Sequence, residues 1–243
     1  MRVPTGQRPV SAPADGSEGT VEQRPALEDH ARKAGWYGVV FAVLLVVGVV
    51  LVATTPGLEA SDADYNAFYR GGGAATLSVV GLYIVPFAGI ACLWHMVGTR
   101  TLLQVRRPGS WTQTRHWLHL AACVTFVCML FVSTACVGAI ALLTKFSDAA
   151  LPGPDVARAL NSVGYTLLFV YGVRAAGLYM LTTTGLASAA GVLPRPLVIL
   201  SYVVAALLLV STTFHPAVLL AFPAWVLMVS IVLLVRRPTG GNP

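Results

Sequence analysis

Few residues in this chain could do chemistry, and the first of them is Arg174. It lies in an apolar stretch from Val163 to Leu186, with eleven residues before it and twelve after. At 1.5 Å of rise per helical residue, that puts it roughly 16 Å from either end. A charge at such depth is costly, faces a bundle interior or a watery cavity, and usually has a use. Snorkelling carries a guanidinium to the interface from a helix end, not from a midpoint. No Asp or Glu lies in any of the long apolar segments, so the partner must be a neutral acceptor. Pro86, near the middle of an earlier segment, cannot donate the bond that the Leu82 carbonyl would accept. The expected partners of Arg174 are therefore that carbonyl or the hydroxyls of Tyr83 and Tyr171. Two uses stand side by side. Arg174 with Tyr171 and Tyr83 is a candidate contact for an anion (a lipid phosphate, a substrate carboxylate, a cofactor acid group). It is equally a structural arginine satisfied by carbonyls and water. Gly172 and Ala176, in small-xxx-small spacing, fit close helix approach on the same segment.

The histidines come next. His95 ends one apolar segment while His116 and His119 begin the next. Imidazoles on facing helices could ligate a haem iron or another metal, which makes His95 and His119 the cofactor candidates. Neither HExxH nor CxxCH accompanies them, so no cofactor and no metal are expected. His215, before Pro216, reads as a loop residue. Cys92, Cys123, Cys128 and Cys136 all fall in apolar segments without CxxC spacing, and read as small hydrophobes. Ser133, Ser201 and Ser230 have no sequence-visible base and read as packing or backbone-bonding serines. Only Lys33 and Lys145 are lysines and neither lies in an apolar segment, which excludes a retinal Schiff base. The absence of carboxylates there argues against the usual proton-coupled pump. Phosphate-binding glycine loops and nucleophile elbows are also missing.

These residues must be positioned by membrane helices. Of 243 residues, 56% are hydrophobic and 11% charged, too few polar groups to cover a soluble domain. A spanning helix needs about 20 apolar residues. Six segments qualify, at about 36–54, 76–97, 118–143, 163–186, 197–214 and 217–235, the fifth being the shortest. The fold class is all-α, a polytopic bundle of six transmembrane helices spanning 35–237. Residues 1–34, rich in Pro, Gly, Ser and Glu, read as a disordered tail, and 238–243 as a short one.

Orientation follows from basic residues. With the N-terminus inside, the cytoplasmic side receives Arg2, Arg8, Arg24, Arg32, Lys33, Arg100, Arg106, Arg107, Arg115, Arg195, Arg236 and Arg237. The outer side receives Arg70, Lys145 and Arg158. Twelve against three places both termini in the cytoplasm of a cell that keeps this chain in its inner membrane. Trp36, Tyr37, Trp94, Trp111 and Trp117 fall near the inner boundary, where amphipathic rings anchor. Scattered basic loops suit anionic headgroups rather than nucleic acid. Outside, Ser61-Asp62-Ala63-Asp64 predicts a capped helix with Tyr65, Phe68 and Tyr69 on one face, and Pro154-Asp155 opens a second. Arginine in place of lysine, with many Ala, Val and Gly, points to a GC-rich, actinobacterial source.

Four stretches carry a resemblance: Ser61 to Tyr65, Pro154 to Leu160, Leu193 to Pro196, and Pro223 to Arg237. Over about 36–237 the chain resembles small six-helix actinobacterial integral membrane proteins. Where those proteins often carry Pro-Arg-Trp, this chain has Pro194-Arg195-Pro196. The resemblance implies topology and no activity. Three functional readings follow. The first is a non-enzymatic membrane component, an accessory subunit with a membrane-protein partner or a second copy. The second is a transport or lipid-binding subunit using Arg174. The third is a haem-binding redox protein using His95 and His119.

Overall fold

The structure, a computed structural model, describes residues 18–106 and 113–235, with side chains over 28–106 and 114–235. Among these residues the chain is helical without strands. The elements are α1 (Glu18–Val52), α2 (Asp62–Arg70), α3 (Gly73–Val79), α4 (Val85–Arg106), α5 (Gln113–Phe146), α6 (Pro154–Thr166), α7 (Val173–Ala189), α8 (Arg195–Val210) and α9 (Pro216–Val235). A π-helical turn, Val80–Ile84, joins α3 to α4, and a second, Leu167–Gly172, joins α6 to α7. The first has a cause in sequence. The Pro86 ring would collide with the Leu82 carbonyl of a regular helix, and the wider turn just before it relieves that clash.

Five helical paths are long and apolar enough to cross a membrane: Glu28–Val52, Gly73–Arg106, Thr114–Phe146, Pro154–Ala189 and Pro216–Val235. The remaining expected span differs. α8 holds 16 residues and ends at Val210, where the sequence reading ran to 214. Its end falls at the polar, β-branched run Ser211-Thr212-Thr213, ahead of Pro216. α1 differs in the other direction. It is helical from Glu18, well inside the stretch read as a tail, and its Ala31 and Ala34 are buried where Gly98 of α4 approaches Ala34. Residues 1–17, 107–112 with Trp111, and 236–243 lie outside the described residues.

The bundle closes as a ring. α1 packs between α4 and α9, α5 between α4 and α7, and α8 lies on α7 and touches α9. Small residues permit the tightest crossings. A Cβ at Gly38 would lie 2.6 Å from His95 Nδ1, and one at Gly177 would lie 3.0 Å from the Ala205 carbonyl. At the ring's centre Phe41, Phe126, Tyr179, Phe222 and Trp225 interlock, with Phe126 and Phe222 centroids 4.7 Å apart. Trp225 donates its indole N–H to Ser201 Oγ at 2.7 Å, and that hydroxyl donates to the Leu197 carbonyl. Ser133 likewise donates to the Gly164 carbonyl at 2.7 Å, tying α5 to α6. Both behave as backbone-bonding serines. Trp36, Trp94 and Trp117 are more than half exposed.

The end of the bundle that carries α2 and α6, labelled outer after the sequence reading alone, follows its local signals closely. Ser61 and Asp64 form a reciprocal capping box on α2, and hydrogen bonds from the Ser61 hydroxyl and N–H hold the Asp64 carboxyl below its ordinary pKa. Tyr65 is buried beneath α2, and burial pushes the neighbouring Tyr69 phenol up to about 12. On the opposite side Gly191, at φ 65°, ends α7 in a left-handed cap.

Candidate functional site

Two regions of the bundle, one on each side of the aromatic plug, gather groups with chemical potential. The outer one is a cavity of about 500 Å³. Gly48 and Val52 of α1, Leu130 and Gly138 of α5, Phe169 of the second π turn and Phe214 before α9 form its walls. Its lining is mainly apolar, and its polar side chains are Thr55, Glu59 and Tyr165 together with Ser133 and Thr134 of α5, whose hydroxyls donate to the Gly164 and Leu130 carbonyls. The Thr55 hydroxyl lies 3.3 Å from that of Tyr165. Volume and lining are those of a small-molecule pocket. Gly48 and Gly138 have a packing meaning here, since their missing side chains leave the space open.

The loop that borders this cavity, 53–60, is held from above by Arg158. Its Nη2 donates to the Ala60 carbonyl at 2.7 Å and to Asp62 Oδ1 at 2.6 Å, and Nη1 to Asp155 Oδ1 at 3.0 Å. The guanidinium also sits 4.9 Å over the Tyr65 ring. Arg158 thus ties α2 and the end of the 53–60 loop to α6. The sequence offered it only as one of three outer basic residues. The clue was an arginine one turn after Asp155 at the start of α6, and its long-range partners needed the fold.

The inner region is a polar cluster buried among α1, α4, α5, α7 and α9. His95 and His119 are both fully buried. His95 Nδ1 lies 2.8 Å from the Ala34 carbonyl, which can only accept, so the proton is on Nδ1 and Nε2 carries the lone pair. Among the described residues that buried Nε2 meets no hydrogen-bond partner, nor do Thr99 Oγ1 and Ser230 Oγ. His119 Nδ1 lies 3.3 Å from Thr182 Oγ1, whose own proton goes to backbone carbonyls, and its ring rests 4.9 Å from Tyr179. His95 and Arg100 are within electrostatic range of His119. Cys92 and Cys123, on α4 and α5, bring their sulfurs to 3.9 Å. Among the described residues no group of three or more His, Cys, Asp and Glu is gathered closely enough to hold a metal.

Arg174 is placed differently from its expectation. Among the described residues its one hydrogen bond runs from Nη1 to the Val170 carbonyl at 2.6 Å, in the π turn one step back along its own path. It makes none to Leu82, Tyr83 or Tyr171. Both tyrosines are 55% exposed on the outside of the bundle. α5 is the helix that packs on both α4 and α7, which is why matching depth did not bring Arg174 and Leu82 together. Arg174 is half-buried and does not line the outer cavity. Comparison with known proteins adds no assignment: no family model matches the chain, no curated protein is similar to it, and no solved structure matches its fold.

Proposed function

We propose that this chain is a non-enzymatic, six-span protein of the cell membrane that holds a lipid-like molecule in its outer cavity. The single observation behind this reading is the cavity itself, walled mainly by apolar side chains and bordered by the 53–60 loop, which contributes Thr55 and Glu59. Apolar walls beside that polar loop suit a chain with a polar head. A molecule arriving from the bilayer gains little from the hydrophobic effect, because lipid tails are already apolar. Affinity then rests on packing against Leu130 and Phe169 and on hydrogen bonds to the rim. Glu59 is the one charged residue in the lining, which favours a neutral or cationic head over a phosphate.

Six crossings with both termini cytoplasmic fit the charge bias read from the sequence. α8 rises about 24 Å as a helix, and the non-helical residues 211–215 beyond it carry the path toward the outer face. The basic inner loops would rest on anionic headgroups, and the actinobacterial resemblance agrees with this topology. An accessory role beside a membrane-protein partner or a second copy is compatible with the exposed apolar perimeter. The experiment is native mass spectrometry of the purified protein. Wild type should carry a co-purified amphiphile that Gly48→Phe and Gly138→Phe lose while remaining folded. Retention by both filled variants would count against the cavity.

A second reading has its own observation. The Arg174 guanidinium has five N–H donors and uses one on Val170. The others suit an anionic lipid at the bundle perimeter, as the Arg174 reading from sequence had it. Loss of bound anionic lipid in Arg174→Gln, with the cavity ligand kept, would support it.

A further inference from the structure

We propose that the cavity beside the 53–60 loop takes a single-chain amphiphile with a positively charged ammonium head. The inference rests on the cavity being a ligand site and adds the chemistry of the head.

The first argument is which hydrogen-bonding groups the lining has left. Its polar side chains are Thr55, Glu59, Ser133, Thr134 and Tyr165. Thr55 donates its proton to the Val52 carbonyl, so the Tyr165 hydroxyl, 3.3 Å away, donates to Thr55. Ser133 and Thr134 donate to the Gly164 and Leu130 carbonyls. Each hydroxyl has its one proton in use, and these side chains still offer only lone pairs and the Glu59 carboxylate. A phosphate, sulfate or carboxylate head needs donors, and these side chains have none to give. An ammonium head brings its own.

Charge gives the second argument. From Gly35 onward every Asp and Glu of the sequence (Glu59, Asp62, Asp64, Asp148 and Asp155) lies at the α2–α6 end, in those helices or the connections beside them. Arg70, Lys145 and Arg158 are the bases there, so carboxylates outnumber cations. Arg158 is committed to Asp62 and Asp155, and none of the three bases lines the cavity. Glu59 does line it, and among the described residues its carboxylate forms neither an ion pair nor a hydrogen bond. An unpaired carboxylate in a negative field draws a cation in and repels an anion.

Ring faces give the third. Tyr165, Phe169 and Phe214 line the same cavity, with Tyr165 and Phe169 edge to face at 6.2 Å and Phe169 and Phe214 centroids 5.5 Å apart. Aromatic faces attract an ammonium group, most strongly where water is excluded. The cavity's volume of about 500 Å³ falls within the range of small-molecule sites, ~300–1,000 Å³, which suits one chain rather than a whole two-chain lipid.

The test is a native mass spectrometry titration of the purified full chain in nonionic detergent with probes that share one decyl chain: decylammonium, decanol and decyl sulfate. Wild type should bind a single decylammonium about tenfold more tightly than decanol, and should not retain decyl sulfate. Glu59→Gln should bring decylammonium down toward decanol and leave decanol unchanged; Glu59 is an exposed loop residue, so the variant keeps its fold. Added salt should shrink the wild-type preference, since the carboxylate is exposed. Gly48→Phe should exclude every probe. If wild type takes the probes irrespective of head charge and Gly48→Phe excludes them, the cavity stands as a ligand site and the ammonium assignment falls. An undiminished preference for decylammonium in Glu59→Gln would also overturn the assignment. If wild type takes none of the probes, the cavity reading falls and this inference with it.

Discussion

The hydrogen bond between Trp225 and Ser201 is a sharp probe of how this bundle is held together. Both residues are fully buried, the donor–acceptor distance is 2.7 Å, and the serine hydroxyl has already given its proton to Leu197. Ser201→Ala therefore leaves an indole N–H with no acceptor. In a soluble core that costs about 1–3 kcal/mol. Interhelical hydrogen bonds in membranes average about 0.6 kcal/mol and reach about 1.7, because the unfolded chain in lipid also finds partners. A short, dry bond belongs near the top of that range, so about 1.5 kcal/mol is expected, close to tenfold in the unfolding constant. Trp225→Phe removes the donor and leaves a small void. The double variant should then be less destabilised than the sum of the singles by about 1.5 kcal/mol, since neither half of the bond remains. Equilibrium unfolding in mixed detergent micelles, followed by tryptophan-independent circular dichroism, measures all four proteins. A coupling below about 0.4 kcal/mol, within ordinary additivity error, would refute the bond as a structural tie between α8 and α9.

Other outcomes follow from the outer cap and the helix crossings. Arg158→Gln should raise hydrogen exchange and protease cutting in 53–62, because the Ala60, Asp62 and Asp155 contacts all end on that guanidinium; unchanged protection would remove its role in holding that loop. The Asp64 carboxyl is held below its unfolded value by Ser61, so its contribution is complete above the ordinary carboxylate pKa of about 3.9 and fades as pH falls through the folded value. Exchange at the start of α2 should accordingly rise on acidification below that range, and Ser61→Ala should show the raised rate already at neutral pH. Gly38→Val should cut folded yield steeply, since its side chain collides with Ser230 and His95, whereas Gly57→Ala, with open space around it, should be neutral by the same size-exclusion assay. Purified protein should show no Soret absorption. A Soret band that disappears in both His95→Ala and His119→Ala would put haem in the inner cluster.

Much of this architecture could be read from residue order, and the reasons are local. Ser61 and Asp64 announce their own capping box, and Pro154 with Asp155 announces α6, because those interactions close within a turn. Apolar length located the spanning paths for the same reason. What failed to show was everything that depends on which helix neighbours which. Arg174 and Pro86 share a depth, yet α5 packs between their helices and the guanidinium turns back to Val170. Cys92 and Cys123 looked like scattered small hydrophobes until the α4–α5 pairing brought them together. Arg158 gave one visible partner, Asp155, and hid two that are nearly a hundred positions away. The second π turn, Leu167–Gly172, has no counterpart in the apolar periodicity.

The account rests most heavily on the outer cavity being a ligand site. The direct measurement is a cryo-electron microscopy map of the full chain in a lipid nanodisc, with a bound antibody fragment for alignment. The prediction is elongated density running from Gly48 and Leu130 toward Glu59 in wild type, and its loss in Gly48→Phe. A wild-type map in which side chains close the space between α1, α5 and α9, or in which the cavity holds only isolated water, would contradict it.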